Sequence, residues 1–170
     1  MIYRLSQVWR ALLAWSVVVD FDAAAAILSP ALMALFRRMR RSEQLHSLRV
    51  MRTLRARGHD QPELLIAALL HDCGKSRYPY SLIERSLVVV IKAIMPRQYA
   101  GWAAGEPEGW RRPFVIAVKH PAWSAEDMAG AGASGLAVKL ARGHQDKFTG
   151  ESASEEDRLL AALQAADDDS

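Results

Sequence analysis

A chain of 170 residues is long enough for one hydrophobic core and short for two domains of ordinary size. Apolar residues make up 51% and charged residues 24%, a balance that excludes a disordered chain. The single cysteine, Cys73, excludes an internal disulfide, which fits a reducing, cytoplasmic setting.

The net charge of +3 hides a polarity along the chain. Residues 1–60 carry ten Lys/Arg against four Asp/Glu, whereas residues 151–170 carry one against seven. The densest basic run is Arg37, Arg38, Arg40 and Arg41. It is either an anion-attracting patch or a solvated helix end whose cations complement the helix dipole, and the second is the expectation.

Apolar spacing predicts helices almost throughout. Leu5, Val8, Leu12 and Val19 form the first stripe. Arg4 and Arg10 precede the apolar stretch from Ala11 to Val19, but its nine residues are followed by Asp20 and Asp22, which makes a poor signal peptide. They also fall short of the roughly 20 apolar residues that a spanning helix needs. Trp9 and Trp15 leave peripheral membrane contact open.

Ser29-Pro30 reads as an N-cap with proline at the first helical position, opening a helix that runs to the arginines. The next helix starts near Ser42 and stops at Gly58. Asp60-Gln-Pro-Glu63 reads as a capping box for a helix carrying Leu64, Leu65, Ala68 and Leu69 and ending around Gly74. Residues 80–95 form a helix on length, although Leu87 to Ile91 is rich in β-branched residues. Residues 97–111 are the least regular stretch, and Pro113 opens a helix that reaches His120-Pro121. Ser124, Ser134 and Ser154 are candidate caps for three more. The fold class expected is all-α, a compact multi-helix bundle.

The chemistry concentrates in Ala67-Ala-Leu-Leu-His-Asp-Cys-Gly-Lys75, an apolar helix ending in His71 and Asp72. An ionised aspartate beside so much apolar sequence is costly to desolvate, whereas His, Asp and a divalent cation satisfy one another. Gly74 is expected to supply the helix-ending turn, with Lys75 projecting toward any phosphate bound there. His46 shares a helical face with Val50 and Leu54, and Asp167 shares one with Leu160 and Leu163. Alone, His46 also reads as a hydrogen-bonded core histidine and Asp167 as part of an exposed acidic tail. Cys73 reads as a small buried hydrophobe, His59 as a loop residue on the surface. Arg77, Arg111, Arg112 and Arg142 are candidates for substrate phosphate, none singled out by spacing.

Taken together, Gln44-Leu-His-Ser-Leu-Arg-Val50, the Ala67–Lys75 block and Leu163-Gln-Ala-Ala-Asp167 resemble the HD phosphohydrolase superfamily. The resemblance extends over roughly residues 40–169. It implies an HD domain over 41–170, preceded by a helical extension, residues 1–40, packed on it. It implies that His46, His71, Asp72 and Asp167 bind one divalent metal. His120-Pro121 and His144 resemble the further ligands of the branch with two metals, in which Asp72 would bridge the ions and His120 and His144 complete the second site. Some relatives have a second histidine where this chain has Gln145.

The activity implied is metal-dependent hydrolysis of a phosphate ester or anhydride by metal-activated water. Asp72 and Lys75 are the catalytic candidates, with one or two divalent ions per chain among Fe, Mn, Mg, Co and Zn. The expected partner is a small phosphorylated substrate, a nucleotide or dinucleotide, and no nucleic acid. The alternative is a non-catalytic, metal-containing HD module that binds a nucleotide or a protein partner in signalling.

Overall fold

In the computed structural model, residues 18–78, 81–146 and 154–170 are described. The stripe through Leu5, Val8 and Leu12 lies outside them, as do Trp9 and Trp15. The described residues form nine α-helices and no strand, so the all-α expectation holds. They are α1 Phe21–Ala25, α2 Pro30–Arg38, α3 Arg41–Ala56, α4 Pro62–Leu70, α5 Leu82–Ile94, α6 Pro96–Ala103, α7 Arg112–Gly130, α8 Gly135–Gly143 and α9 Glu155–Asp168. Two 3₁₀ turns, Cys73–Arg77 and Gly109–Arg111, sit between helices.

Local chemistry sets most of the starts. The Ser29, Ser81, Ser134 and Ser154 hydroxyls each accept a backbone N–H three residues on, and Pro30 opens α2. At α3 the Glu43 carboxylate accepts the Arg40 N–H at 3.0 Å. The helix ends where Gly58 adopts φ +84°, which a side chain would resist. Arg37 and Arg38 occupy the last turn of α2, and Arg37 also lies 4.9 Å over the Phe21 ring. Half of the basic run therefore ends a helix as expected, whereas Arg40 and Arg41 stand at the start of α3, where their charge does not complement the dipole.

Four boundaries differ from the sequence reading. The cap of α4 is Gln61, not Asp60, which instead pairs with Arg55 at 3.4 Å. That helix ends at Leu70, and Gly74 lies beyond it in the 3₁₀ turn with no positive φ. Residues 97–111 are more regular than expected, because Tyr99, Trp102, Trp110 and Phe114 stack at centroid distances of 5.2–6.3 Å and pin α6 against α7. Ser124 caps nothing, since α7 continues through Pro121 to Gly130. Pro121 removes one helical hydrogen bond, but it is buried, and the residues around it, His120 and Ser124, pack closely on Gly74 of the 3₁₀ turn, which holds the helix together.

The core forms around α4, whose Leu64, Leu65, Ala67, Ala68, Leu69 and Leu70 are all buried. A helix apolar on every side has to be surrounded. The surrounding cluster includes Leu32 and Phe36 of α2, Leu48, Met51 and Leu54 of α3, Leu140 of α8 and Leu163 of α9. A smaller cluster joins Val88, Ala103 and Phe114. The charge polarity of the sequence also closes in space: Arg57 pairs with Asp169 at the end of α9. Among the described residues no helix is long and apolar enough to cross a membrane.

Candidate metal centre

His71 and Asp72 leave the end of α4 at the middle of the bundle, 1% and 5% exposed. The other predicted residues come in from separate helices: His46 from α3, His120 from α7, His144 from the end of α8 and Asp167 from α9. All six meet in one cluster, as three overlapping groups: His46, His71 and Asp72; His71, His144 and Asp167; Asp72, His120 and His144. Within each group the ligand atoms lie within 4.8 Å of one another.

The backbone fixes how the rings point. His71 Nδ1 lies 3.0 Å from the Ala68 carbonyl, His120 Nδ1 3.0 Å from that of Ile116, and His144 Nδ1 2.7 Å from that of Ala141. A carbonyl can only accept, so each Nδ1 carries a proton, and in the neutral ring the Nε2 that faces inward is bare. This is how metal-binding histidines are commonly oriented. Position along the helix supplies it here, because each carbonyl lies three or four residues upstream.

Asp72 stands between two halves of the cluster. Its Oδ1 is 3.2 Å from His120 Nε2 and 3.8 Å from His144 Nε2, and its Oδ2 is 3.7 Å from His71 Nε2. On the far side, Asp167 Oδ1 lies 2.7 Å from His46 Nε2 and 3.6 Å from His71 Nε2. His71 Nε2 and Asp72 Oδ1 are buried and make no hydrogen bond. These two buried atoms lack a donor or acceptor of their own, an arrangement that costs energy unless a cation sits between them. The donor set, imidazole with carboxylate, suits a divalent ion of intermediate hardness. The cluster therefore fits a metal.

The ionisation states agree with that fit. Burial raises Asp72, but Lys75, His71 and His120 outweigh it and hold the carboxyl well below the carboxylate range. Burial likewise raises Asp167, and His46 and His71 reverse it. Burial, reinforced by His71, lowers His144 to about 3, against an ordinary 6.5. Burial and Lys75 also lower His120. For His71, burial lowers the value but Asp72 and Asp167 raise it overall.

These directions set a pH dependence for the metal-free protein. His144, at about 3 when folded against 6.5 when unfolded, takes up a proton mainly on unfolding, so its stabilisation is lost as pH falls from 6.5 toward 3. His120 acts in the same sense, and the lowered Asp72 and Asp167 add losses below about 4. His71 opposes them, since its contribution is present at low pH and lost as pH rises through its folded value. The lowered groups outnumber it. Thermal melts of chelator-treated protein should show a midpoint that drops steadily between pH 6.5 and 4, and a flat profile would mean that these groups are solvated in the apo state.

Other predicted residues have mixed outcomes. Lys75 Nζ contacts Asp72 Oδ2 at 2.6 Å, so its partner in the fold is the aspartate and not a substrate oxygen alone. Cys73 is buried, its thiol pushed up by burial to about 12, which suits a small hydrophobe. His59 is half-buried in the loop after α3, away from the cluster. Arg77 pairs with Glu126 and Asp127, Arg112 pairs with Glu84, and Arg111 lies over Trp110. Arg142 lines a cavity beside the site.

Three supporting residues escaped the sequence reading. The Ser124 hydroxyl accepts the Gly74 N–H at 2.8 Å. Its place one turn after His120, on the same face of a helix, was the available signal. Gln145 lies 3.4 Å from His120 Nε2. Gln164 donates to the Gly143 and Asp146 carbonyls at 3.0 and 2.8 Å, which closes the end of α8 and holds His144 in place. The signal for Gln145 was the histidine that some relatives carry at its position, and nothing local marks Gln164.

Among known protein families, the one described as HD domain matches residues 45–170. Searches of curated proteins and of solved structures give no match.

Proposed function

The chain belongs to the HD domain family, and from that premise we propose that it is a metal-dependent phosphohydrolase cleaving a phosphate ester or anhydride, of a nucleotide or dinucleotide. One observation carries the reading: bare Nε2 atoms of three backbone-oriented histidines converge on two carboxylates, with His71 Nε2 and Asp72 Oδ1 left without partners. A protein without a cation to hold gains nothing from that arrangement.

His46, His71, Asp72 and Asp167 would hold one ion, and Asp72, His120 and His144 a second. A divalent ion there would acidify a water and neutralise charge on the phosphoryl group. The chain's own residues supply the rest. Asp72 and Asp167 stay ionised and offset the cationic charge. Lys75, held 2.6 Å from Asp72 Oδ2, would bind a phosphoryl oxygen at the edge of the ligand set. A cavity of about 570 Å³ opens onto His144 and Asp167, room enough for a phosphorylated small molecule.

The test is metal analysis of the purified protein followed by turnover of p-nitrophenyl esters and a nucleotide panel. Metal-loaded protein should hydrolyse at least one of them, and chelation should abolish the activity. Bound metal with no turnover of any compound would overturn the hydrolase reading in favour of a binding module.

A further inference from the structure

Two cavities adjoin beside the metal centre, and they differ in chemistry. The inner one, about 570 Å³, reaches His144, Asp167 and Asp168. The outer one, about 390 Å³, has an apolar wall that includes Tyr99, Val118 and Pro121, and it carries Arg142. Lys92, Gln145 and Asp146 line both, so the two form one continuous cleft.

Charge divides along this cleft. The inner part holds Asp146, Asp167 and Asp168 against Lys92, which suits a cation. In the outer part, Lys92 and Arg142 face Asp146 alone, which leaves an excess of positive charge beside an apolar surface. The Lys92 ammonium lies 5.9 Å from the Tyr99 ring centroid, placing a cation and an aromatic face together. Neither Lys92 nor Arg142 pairs with a carboxylate among the described residues, in contrast to Arg77 and Arg112. Val118 is 49% exposed and belongs to the same wall. Lys92 and Arg142 are both exposed, so an anionic, partly apolar ligand lying against this wall would meet two cations that no described carboxylate pairs with.

Resting on the hydrolase reading, we propose that the outer cavity is the subsite for the organic side of the substrate. It takes a flat or apolar group against Tyr99, Val118 and Pro121, and Lys92 and Arg142 hold a second negative charge there. The reacting phosphate occupies the inner cavity. The class of ligand that meets all these requirements is a nucleoside 5′-diphosphate or a longer phosphate anhydride, with Asp146 available to accept from a sugar hydroxyl. A lone phosphate monoester of a small alcohol would fill the inner cavity only.

Calorimetric binding to metal-loaded protein separates these cases with three probes: inorganic phosphate, AMP and the non-hydrolysable α,β-methylene analogue of ADP. The analogue should bind at least about tenfold tighter than inorganic phosphate, the gain expected of one charge-assisted contact. Arg142→Ala and Lys92→Ala should each remove most of that advantage, reducing the ratio of the two affinities. Tyr99→Leu, which keeps an apolar side chain against Phe114, should weaken AMP and the analogue together. Equal affinities for phosphate and the analogue, or a ratio unchanged in Arg142→Ala and Lys92→Ala, would overturn the subsite. Turnover of a generic p-nitrophenyl ester with an unchanged ratio would refute the subsite and leave the hydrolase reading intact. Analogue binding that depends on Arg142, without turnover of any compound, would support the subsite and refute the hydrolase reading.

Discussion

Gly74→Ala is expected to destabilise the domain by about 3 kcal/mol, the upper end for overpacking in a rigid setting, and to loosen the metal centre with it. A methyl group on Gly74 would lie 2.5 Å from the His120 carbonyl oxygen, 2.6 Å from the Ser124 nitrogen and 2.9 Å from Trp123 Cβ. Two of these are backbone atoms of α7, which cannot rotate away as a side-chain tip could. The 3₁₀ turn would have to retreat from α7, stretching the Gly74 N–H bond to the Ser124 hydroxyl, now 2.8 Å. Asp72, at the start of that turn, would then move away from His120, whose Nε2 is 3.2 Å from its Oδ1. Glycine is therefore required here for close approach and not for a left-handed φ. Gly101 is the contrasting position, since a methyl there meets nothing within 4 Å and the residue is helical. Gly101→Ala should stabilise by roughly 0.5–1 kcal/mol through helix propensity alone. Thermal melts and metal titrations of the two variants check the pair of claims. For a chain of this size about 3 kcal/mol lowers the midpoint by roughly 6–12 °C, and a Gly74→Ala protein that melts like wild type would mean α7 can yield.

Two of the ligands, His46 and Asp167, stood out because each broke a pattern that the rest of its helix obeyed, whereas His120 and His144 were marked only by the family resemblance. His46 interrupts the buried face of Val50 and Leu54, and Asp167 that of Leu163, so spacing alone directed both inward. The starts at Ser29, Ser134 and Ser154 were legible for a comparable reason, since capping is a local interaction. Features set by tertiary packing were not. Pro121 read as a helix end, yet it lies mid-helix because α7 is buried against the 3₁₀ turn, and Ser124 therefore faces Gly74 instead of capping. Gly74 followed the helix-ending pattern in sequence, but its role depends on a helix 46 residues further on, at His120. The order in residues 96–111 likewise comes from ring packing among Tyr99, Trp102, Trp110 and Phe114, which no short-range signal reports. The cleft beside the site needs Lys92 from α5 and Arg142 from α8, residues 50 positions apart that look like ordinary surface cations.

Lys75→Ala should lower kcat by on the order of 10² to 10³, the scale for losing one preorganised donor to a developing oxyanion, while leaving the metal in place. Two physical effects decide how the change divides. Lys75 carries a positive charge beside the cluster, its Nζ 2.6 Å from Asp72 Oδ2, and a cation so placed repels any other cation held there. Removing it takes away repulsion, so metal affinity has no electrostatic reason to fall. What is lost is a donor at 17% exposure, where a charge-assisted hydrogen bond is worth more than at the open surface. Asp72 offers Oδ1 to His120 and His144, and Lys75 fixes the rotation of that carboxylate by gripping Oδ2. Lys75 therefore has two routes to the rate, through the angle of Asp72 and through an oxygen of the substrate. Lys75→Arg distinguishes them, because a guanidinium can still grip Oδ2 while it places its donors differently toward a phosphoryl oxygen. Recovery of most of the rate in Lys75→Arg would assign the effect to Asp72, and a rate still as low as that of Lys75→Ala at full metal occupancy would assign it to the substrate. Steady-state kinetics on metal-replete protein, with metal measured in the same samples, gives both readings. An unchanged kcat in Lys75→Ala at full metal occupancy would reduce the lysine to a structural partner of Asp72.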